Sequence, residues 1–332
     1  MNNNPKQCAS APGKLVLIGE YAVTKGLPAL SMAVNRRAVA CRCESTDNRH
    51  SLHTSMFPGK IFYFNKKHEN FYWKVTPPRQ VQEFIEHLPW PDTQNSGPGV
   101  QLELDTHGFF QHDIKQKTGI GSSAALMLAA STVLKADNDC AQTSHHLLQQ
   151  QTGSGIDLAT SRHGGLICFQ RQQAVKELNL PGDFYWQAVW TGESAETRVF
   201  LQAFNVWIEN QPKSWKIRQQ QAASLIAEAI TAVGKGNGLA LTACIRAYGE
   251  WMRELGESIN QPIYTPVYEK IREITLYSDC AWKPSGAGGG DIGLICANSR
   301  HNLQEISHRI SDAGYKLLDL ELEPDGLQLF NH

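Results

Sequence analysis

Two glycines and two serines lie together in the segment Lys117-Thr118-Gly119-Ile120-Gly121-Ser122-Ser123-Ala124-Ala125. The glycines let the backbone approach a ligand closely, and the apolar residues behind them predict a helix from about Ser122 to Lys135. The first turn of a helix offers unpaired N–H groups and the positive end of the helix dipole, both of which favour an anion. Because the hydroxyls of Ser122 and Ser123 can hydrogen-bond phosphate or bind Mg²⁺, the segment predicts a polyphosphate site.

The same glycine spacing allows two other interpretations. Gly119-x-Gly121-x-x-Ala124 satisfies a relaxed dinucleotide-binding fingerprint, with Asp139 about where an acid would bind a ribose. That interpretation requires a strand leading directly into the first glycine, whereas the polar residues 106–117 precede it here. The other alternative is structural: a glycine-rich turn that caps a buried helix. The segment alone leaves all three interpretations open.

Two further segments contain glycines next to charged residues. The segment 11–23, Ala-Pro-Gly-Lys-Leu-Val-Leu-Ile-Gly-Glu-Tyr-Ala-Val, places Lys14 at the start of an apolar strand and Glu20-Tyr21 at its end. A strand whose lysine points to water is the structural alternative. The segment 283–291, Lys-Pro-Ser-Gly-Ala-Gly-Gly-Gly-Asp, has four glycines within five residues, which costs much chain entropy on folding. A plain turn needs one or two glycines, and a backbone cradle for an anionic ligand explains the others.

These three segments, in their order and approximate spacing, resemble the conserved motifs of the GHMP kinases, and Gly153-Ser154-Gly155-Ile156-Asp157 resembles the catalytic-aspartate loop of that family. The resemblance spans nearly the whole chain. It implies an α+β, two-domain GHMP kinase fold with a ribosomal S5-like N-terminal domain, a ferredoxin-like C-terminal domain and an active site in the cleft between them. We therefore expect an N-terminal ATP-binding GHMP domain over 1–170 and a C-terminal GHMP domain over 171–332.

The resemblance also implies roles for individual residues and the cofactors ATP and Mg²⁺. Asp157 is expected to accept or orient the proton of the acceptor, and Lys14 to keep that carboxylate ionised; an N-cap acid is the structural alternative for Asp157. The residues expected to hold ATP are Lys117, Gly119, Gly121, Ser122, Ser123 and Ala124, with Ser123 also a metal ligand. The residues expected at the acceptor are Glu20, Tyr21, Ser154, Gly155, Arg198, Lys283, Ser285, Gly286, Ala287, Gly288 and Asp291.

Within the family, several details resemble the phosphomevalonate kinases. They are Gly19-Glu20-Tyr21, Asp291 after the glycines, the segment Thr191–Thr197, and the run His145–Gln149. The helix before Gly153 also lacks the Mg²⁺-binding Glu of mevalonate kinases. We expect ATP-dependent conversion of phosphomevalonate to diphosphomevalonate in isoprenoid precursor synthesis. The alternatives are mevalonate kinase, another small-molecule kinase of the family, and a non-catalytic ligand sensor on the same scaffold.

An acceptor that carries phosphate or carboxylate needs cationic partners. The candidates are Arg198, Arg162 and Lys283, each of which could equally be a solvated surface charge.

Composition limits the other functions. The 332 residues carry a net charge of −1, which argues against a nucleic-acid binder, because phosphate-backbone binding needs a surplus of Lys and Arg. No apolar run resembles a signal peptide or a membrane span. The eight scattered cysteines lack metal-ligand spacing and suit a reducing compartment, so we expect a cytoplasmic protein with Cys41 and Cys43 in its core. A homodimer is compatible with the sequence.

The remaining pattern predicts an alternation of strands and helices. Residues 7–43 read as strand, turn, strand, and residues 44–99 carry no readable motif. Strands are also predicted at 100–104, 166–169, 185–190, 292–296 and 315–322, and helices near 141–163, 195–210, 214–233, 237–258, 264–277 and 301–313.

Overall fold

The computed structural model describes residues 6–45, 48–91, 98–110, 118–134, 153–194, 196–276 and 278–331. These residues form two β-sheets and the helices that cover them. The strands of the first sheet are β1 (Gln7–Ile18), β2 (Ala29–Glu44), β3 (His50–Thr54), β4 (Ile61–Lys67), β5 (Asn70–Trp73), β6 (Val100–Asp105), β7 (Leu166–Phe169), β8 (Lys176–Leu178) and β13 (Gln328–Asn331). Those of the second sheet are β9 (Tyr185–Trp190), β10 (Ala281–Pro284), β11 (Ile292–Ala297) and β12 (Lys316–Leu318).

The helices belong to both halves of the chain. They are α1 (Arg79–Glu86), α2 (Ser122–Val133), α3 (Ile156–His163), α4 (Thr197–Asn210), α5 (Pro212–Gly234), α6 (Gly238–Ser258), α7 (Pro266–Thr275) and α8 (Arg300–Asp312). None of the helices in the described residues has the length and apolarity needed to cross a membrane.

The first sheet is organised around β1 and β2, which pair antiparallel over most of their length, and α2 packs across both. Nearly every residue of α2 from Ala124 onward is buried, because its sequence is apolar on all sides. Gly13 lies where β1 passes the start of this helix. A Cβ at Gly13 would lie 2.7 Å from the carbonyl oxygen of Ile120, so only glycine allows this approach. The N–H of Lys14 donates to the same oxygen at 2.8 Å, which fixes Lys14 beside the start of α2.

The second sheet has the antiparallel order β10-β11-β9-β12. Helix α6 packs against β10 and β11, and α8 packs against β9 and β11. The chain then returns to the first sheet, where β13 pairs antiparallel with β1 and Leu322 forms a bridge with Val34. Strand β8 lies just after residue 170 and pairs with β7 in the first sheet. The division at residue 170 stays a prediction.

Residues 44–99, which carry no readable motif, contain β3, β4, β5 and α1. Aromatic side chains hold this region together. The ring of Phe64 lies 4.5 Å from that of Trp73 and 4.8 Å from that of Trp90, measured between centroids. The His50 ring lies 5.3 Å from Phe64, and its Nδ1 accepts a hydrogen bond from the N–H of Val100 at 3.0 Å.

The expectation that Cys41 and Cys43 belong to the core is wrong. The inward side chains of this part of β2 are Ala38 and Ala40, which are fully buried, whereas Cys41 and Cys43 are on the opposite face and only half-buried. Cys41 lies directly across from Cys8 of β1, with their Cα atoms 4.1 Å apart, and the two form a disulfide.

Candidate active site

A cleft of about 590 Å³ lies where the end of β1, the starts of α2, α3 and α4, and the loop after β10 meet. Most of the predicted site residues line it. They are Lys14, Glu20, Tyr21, Gly119, Gly121, Ser122, Ser123, Ser154, Asp157, Arg198, Ser285, Gly286, Ala287, Gly288 and Asp291. Segments that are far apart in the sequence therefore meet around one cavity, as the motif reading predicted.

The cleft is also lined by residues for which no role was predicted: Val16, Val23, Thr24, Glu83, Gly153, Ile156, Thr197, Leu201 and Gly290. Periodicity could have found some of them. Val16 is two residues beyond Lys14 and so shares its strand face, and Leu201 is one helical turn after Thr197. Glu83 belongs to α1, in the region without a readable motif, and no sequence signal points to it.

Some predicted residues lie elsewhere. Ala124 is 1% exposed and packs in the core behind the first turn of α2. Gly155 precedes α3 and does not line the cleft, whereas Gly153 does. Arg162, a candidate partner for an anion, is at the other end of α3 and its carbonyl accepts from the N–H of Leu327 at 3.0 Å. Lys117 and the run 145–149 lie outside the described residues, as does Asp139.

The start of α2 has the geometry of an anion site. Gly119 and Gly121 have φ angles of +75° and +83°, in the left-handed region that favours glycine. Gly121 is the N-cap residue and no side chain caps the helix. The first N–H groups of α2 consequently face the cleft together with the partly exposed Ser122 and the exposed Ser123.

The Lys14 ammonium and the Asp157 carboxylate form an ion pair in this cleft, with Nζ and Oδ1 3.3 Å apart. The Lys14 side chain is 8% exposed and that of Asp157 is 26% exposed. The N-cap residue of α3 is Gly155, and the Oγ of Ser154 accepts a hydrogen bond from the N–H of Ile156 at 3.3 Å, so Asp157 in the first turn is not the residue that caps the helix. The capping alternative therefore does not describe Asp157.

Lys283 does not face the cleft, contrary to the substrate contact expected for it. Its side chain is fully buried, and its Nζ lies 2.5 Å from Oε1 of Glu20, whose side chain is 3% exposed. Because consecutive side chains of a strand point to opposite faces, the motif could not show on which side of β10 this ammonium lies. The structure gives Lys283 an ion pair between the two sheets.

The loop from Ser285 to Asp291 connects β10 to β11 and borders the cleft. Its glycines are explained largely by packing. A Cβ at Gly288 would lie 2.6 Å from the carbonyl oxygen of Ile263, one at Gly289 would overlap the ring of Phe200, and one at Gly290 would lie 3.0 Å from the backbone of Glu193. A Cβ at Gly286, in contrast, meets nothing within 4 Å.

Asp291 connects this loop to the start of α2. Its φ is +60°, and its backbone is held by Thr191, whose N–H donates to the Asp291 carbonyl at 2.9 Å. The Asp291 side chain lies directly against Gly119, since a Cβ there would be 2.5 Å from the Asp291 Cβ. Arg198 lies across the cleft in the first turn of α4, with its side chain exposed.

The donor set fits Mg²⁺ that arrives with a nucleotide. In the described residues, no group of three or more His, Cys, Asp or Glu side chains is arranged to hold a metal ion. The cleft instead offers the Ser123 hydroxyl and the carboxylates of Asp157 and Asp291. Mg²⁺ prefers oxygen ligands and usually binds through one or two protein groups and substrate phosphates.

No protein-family model matches the sequence. A curated relative, the phosphomevalonate kinase of Streptomyces sp. (strain CL190), is 24% identical over 95% of this chain and 96% of its own length. The mevalonate kinase of Thermococcus gammatolerans is 24% identical over 97% of each chain. The solved structure of Streptococcus pneumoniae phosphomevalonate kinase in complex with phosphomevalonate and AMPPNP has a TM-score of 0.72, at 18% identity, and covers 95% of this chain and 99% of that one.

The homologues and structural neighbours of this chain are GHMP kinases. The resemblance stated from the motifs and the α+β fold expected from it are therefore confirmed. The relatives are kinases, which supports an ATP-dependent kinase activity for this chain. They include both phosphomevalonate and mevalonate kinases at similar identity, so the identity values do not choose the acceptor.

Proposed function

We propose that this GHMP kinase transfers the γ-phosphoryl group of ATP to the phosphate of phosphomevalonate, giving diphosphomevalonate. The observation that carries the kinase activity is the Lys14–Asp157 pair, 3.3 Å between Nζ and Oδ1, in the same cleft as the uncapped start of α2. Phosphoryl transfer depends mostly on positioning and charge stabilisation, and these groups supply both.

The ATP phosphates would lie on the first N–H groups of α2, beside Gly119 and Gly121. Mg²⁺, when bound with the nucleotide, would neutralise phosphate charge, with the Ser123 hydroxyl as its protein ligand. The backbone N–H of Lys14 bonds to the carbonyl of Ile120 and places this residue beside the start of α2. Its ammonium would face the transferred group and offset the charge that grows on it.

Asp157 would orient the attacking oxygen of the acceptor. The second ionisation of a phosphate monoester has a pKa near 6, so a phosphate acceptor needs little help from a strong base. The Lys14 ammonium, 3.3 Å from Oδ1 of Asp157, holds that side chain in place by an ion pair. The residue then acts mainly by position, as a hydrogen-bond acceptor aimed into the cleft.

The phosphate acceptor is supported by charge. Among the described residues, the cations that line the cleft are Lys14 and Arg198. Lys14 is paired with Asp157, and the planar guanidinium of Arg198 suits phosphate or carboxylate oxygens. The phosphomevalonate kinase among the relatives, which matches nearly the full chain, supports the same assignment.

Mevalonate is the second candidate. The burial of Lys283 removes one of the cations expected to bind the phosphate of the acceptor. Mevalonate carries a carboxylate and no phosphate, so it needs fewer cationic partners. Mevalonate kinases from several archaea also match over nearly the whole chain.

A coupled ADP-release assay separates the two acceptors. With MgATP fixed, we expect kcat/KM for phosphomevalonate to exceed that for mevalonate by about tenfold or more, because each lost charge-assisted contact costs roughly 2–5 kcal/mol. Turnover of mevalonate alone would contradict phosphomevalonate as the acceptor and would leave the proposed kinase activity in place. ATP binding without turnover of any small alcohol or phosphate would support a ligand sensor.

A further inference from the structure

The ion pair between Glu20 and Lys283 is almost fully buried. The Lys283 Nζ donates to Oε1 of Glu20 at 2.5 Å, to the carbonyl of Pro284 at 2.5 Å and to the carbonyl of Val16 at 3.4 Å. Glu20 follows the end of β1 in the first sheet and Lys283 belongs to β10 in the second. The pair therefore joins the two sheets at the border of the cleft.

Glu20 is connected to both sides of this junction. Its Oε1 also accepts from the N–H of Gly286 at 3.4 Å, and its carbonyl accepts from the hydroxyl of Tyr248 at 2.6 Å. Burial, followed by the charge of Glu20, raises the pKa of Tyr248 well above its usual value, so that hydroxyl stays a donor. Oε2 of Glu20 is buried and has no hydrogen-bond partner among the described residues, and Glu20 lines the cleft.

Neighbouring residues make parallel connections to the same loop. The N–H of Val16 donates to Oγ of Ser285 at 2.9 Å, and that hydroxyl donates to the Val16 carbonyl at 3.2 Å. The hydroxyl of Tyr21 donates to the carbonyl of Ala287 at 2.5 Å. The end of β1 thus sets the position of Ser285–Gly288, the part of the loop that lines the cleft.

A buried ion pair is a poor device for stability alone. Removing two charges from water costs free energy that their attraction only partly returns, and apolar residues of similar volume are often as stable or better. In some proteins such a pair instead specifies one arrangement, because a displacement leaves a charge buried without its partner. Because this pair lies at the border of the cleft, the arrangement it would specify is that of the loop Ser285–Gly288.

We propose that Glu20 and Lys283 are positioning residues that fix the loop Ser285–Gly288 at the acceptor end of the cleft. Oε2 of Glu20 then takes its missing hydrogen bond from a hydroxyl donor of the bound acceptor. The contact between Oε2 and the acceptor rests on the proposed function, whereas the positioning of the loop does not.

The variants that test the pair are Lys283→Met, Glu20→Gln and the double variant, which carries neither charge. Hydrogen exchange followed by mass spectrometry measures the loop without any substrate. We expect exchange in 285–291 to accelerate about tenfold or more in Lys283→Met, because Glu20 loses its counter-charge, while exchange in α2 stays unchanged. The double variant should return to within about threefold of the wild type, since no charge is left unpaired.

Lys25→Met is the matched control. Lys25 also connects the two halves of the chain, through a 2.7 Å hydrogen bond from its Nζ to Asn205, but it does not line the cleft or contact the loop. We expect wild-type exchange in 285–291 for this variant. If Lys283→Met does not fold, Glu20→Gln and the double variant decide the question with the same measurement.

Kinetics test the contact with the acceptor. Glu20→Gln and the double variant should raise KM for the acceptor about tenfold or more and leave KM for ATP within about twofold, whereas a folding defect alters both. The positioning role would be overturned if hydrogen exchange in 285–291 kept its wild-type rate in every variant. It would also be overturned if this exchange were as fast in the double variant as in Lys283→Met. Unchanged acceptor KM in Glu20→Gln would overturn the Oε2 contact. A wild-type protein that phosphorylates neither acceptor would refute the proposed function, and the exchange result would still decide the pair.

Discussion

Replacement of Gly119 by alanine tests the contact between the start of α2 and Asp291. Gly119 has a φ of +75°, and the added Cβ would lie 2.5 Å from the Asp291 Cβ and 2.6 Å from its Cγ. Gly314, which follows α8, has a similar φ of +88° but a Cβ there meets nothing within 4 Å. The two positions share the backbone cost of a left-handed alanine and differ in the overlap.

The magnitudes follow from that difference. The left-handed conformation costs a non-glycine residue roughly 1–2 kcal/mol, which is the loss of unfolding free energy we expect for Gly314→Ala. The overlap at Gly119 adds roughly 1–3 kcal/mol, as overpacking does in other proteins. Gly119→Ala should therefore lose about 2–5 kcal/mol in total.

Urea denaturation measures these losses, and isothermal titration measures the affinity for MgATP. We expect the affinity to fall more than about tenfold in Gly119→Ala, because the loop must shift where the phosphates lie, and to be unchanged in Gly314→Ala. Equal losses of stability would show that the Asp291 contact does not restrict Gly119. Wild-type MgATP affinity in Gly119→Ala would show that the nucleotide binds elsewhere.

Three further substitutions test catalysis, acceptor binding and pH dependence. Asp157→Asn should lower kcat about 10²–10⁴-fold in the ADP-release assay with MgATP affinity unchanged, because the residue orients the acceptor. Arg198→Met should raise KM for phosphomevalonate more than about tenfold and leave KM for ATP unchanged. Burial pushes the pKa of Glu250 up, but hydrogen bonds from Arg272 and Arg253 outweigh it and leave that pKa below its usual value. The stability contributed by ionised Glu250 is present above about pH 4.5 and lost as the pH falls through the lower folded-state pKa, so Glu250→Gln should lower Tm at pH 7 and have a smaller effect at about pH 3.

Each substitution has a control of the same chemistry on the surface. They are Asp312→Asn, Arg246→Met and Glu305→Gln, all at exposed positions away from the cleft. Near-normal turnover of Asp157→Asn would remove its catalytic role. An Arg198→Met variant that behaves like Arg246→Met would make Arg198 a surface charge. An effect of Glu250→Gln on Tm that does not depend on pH would contradict the ionic explanation.

Local patterns predicted the helices of the second half well. The helices expected at 214–233 and 237–258 are Pro212–Gly234 and Gly238–Ser258, because an apolar stripe of period 3.6 and glycines at the ends are readable over short distances. The strands and the helix of residues 44–99 could not be predicted, because their contacts are not local in the sequence. The rings of Phe64, Trp73 and Trp90 lie against one another across β4, β5 and the segment after α1, and no strand or helix periodicity links these three positions.

The site shows the same division. The glycines and hydroxyls at the start of α2 could be recognised in the sequence as a candidate anion site, because they come from one continuous segment. The location of Lys283 could not be predicted, since its partner Glu20 is 263 residues away and the two meet only after both sheets have formed. The glycines at 288–290 looked like a ligand cradle, whereas their neighbours Ile263, Phe200 and Glu193 come from three other segments. The disulfide between Cys8 and Cys41 likewise depends on the register of β1 against β2.

The pairing of β13 with β1 affects the order in which the first sheet can form during translation. The ribosome makes β1 before β13, so the edge of β1 from Gln7 to Ser10 lacks its β13 partner while more than 300 intervening residues are translated. Unpaired strand edges are templates for wrong pairing between chains. The segment from Leu322 to Asn331 also bonds to β2 and to the end of α3, through Glu323 with Ala33 and Leu327 with Arg162. The first sheet, which carries Lys14 on β1, therefore gains this edge strand only after the strands of the second sheet have been translated.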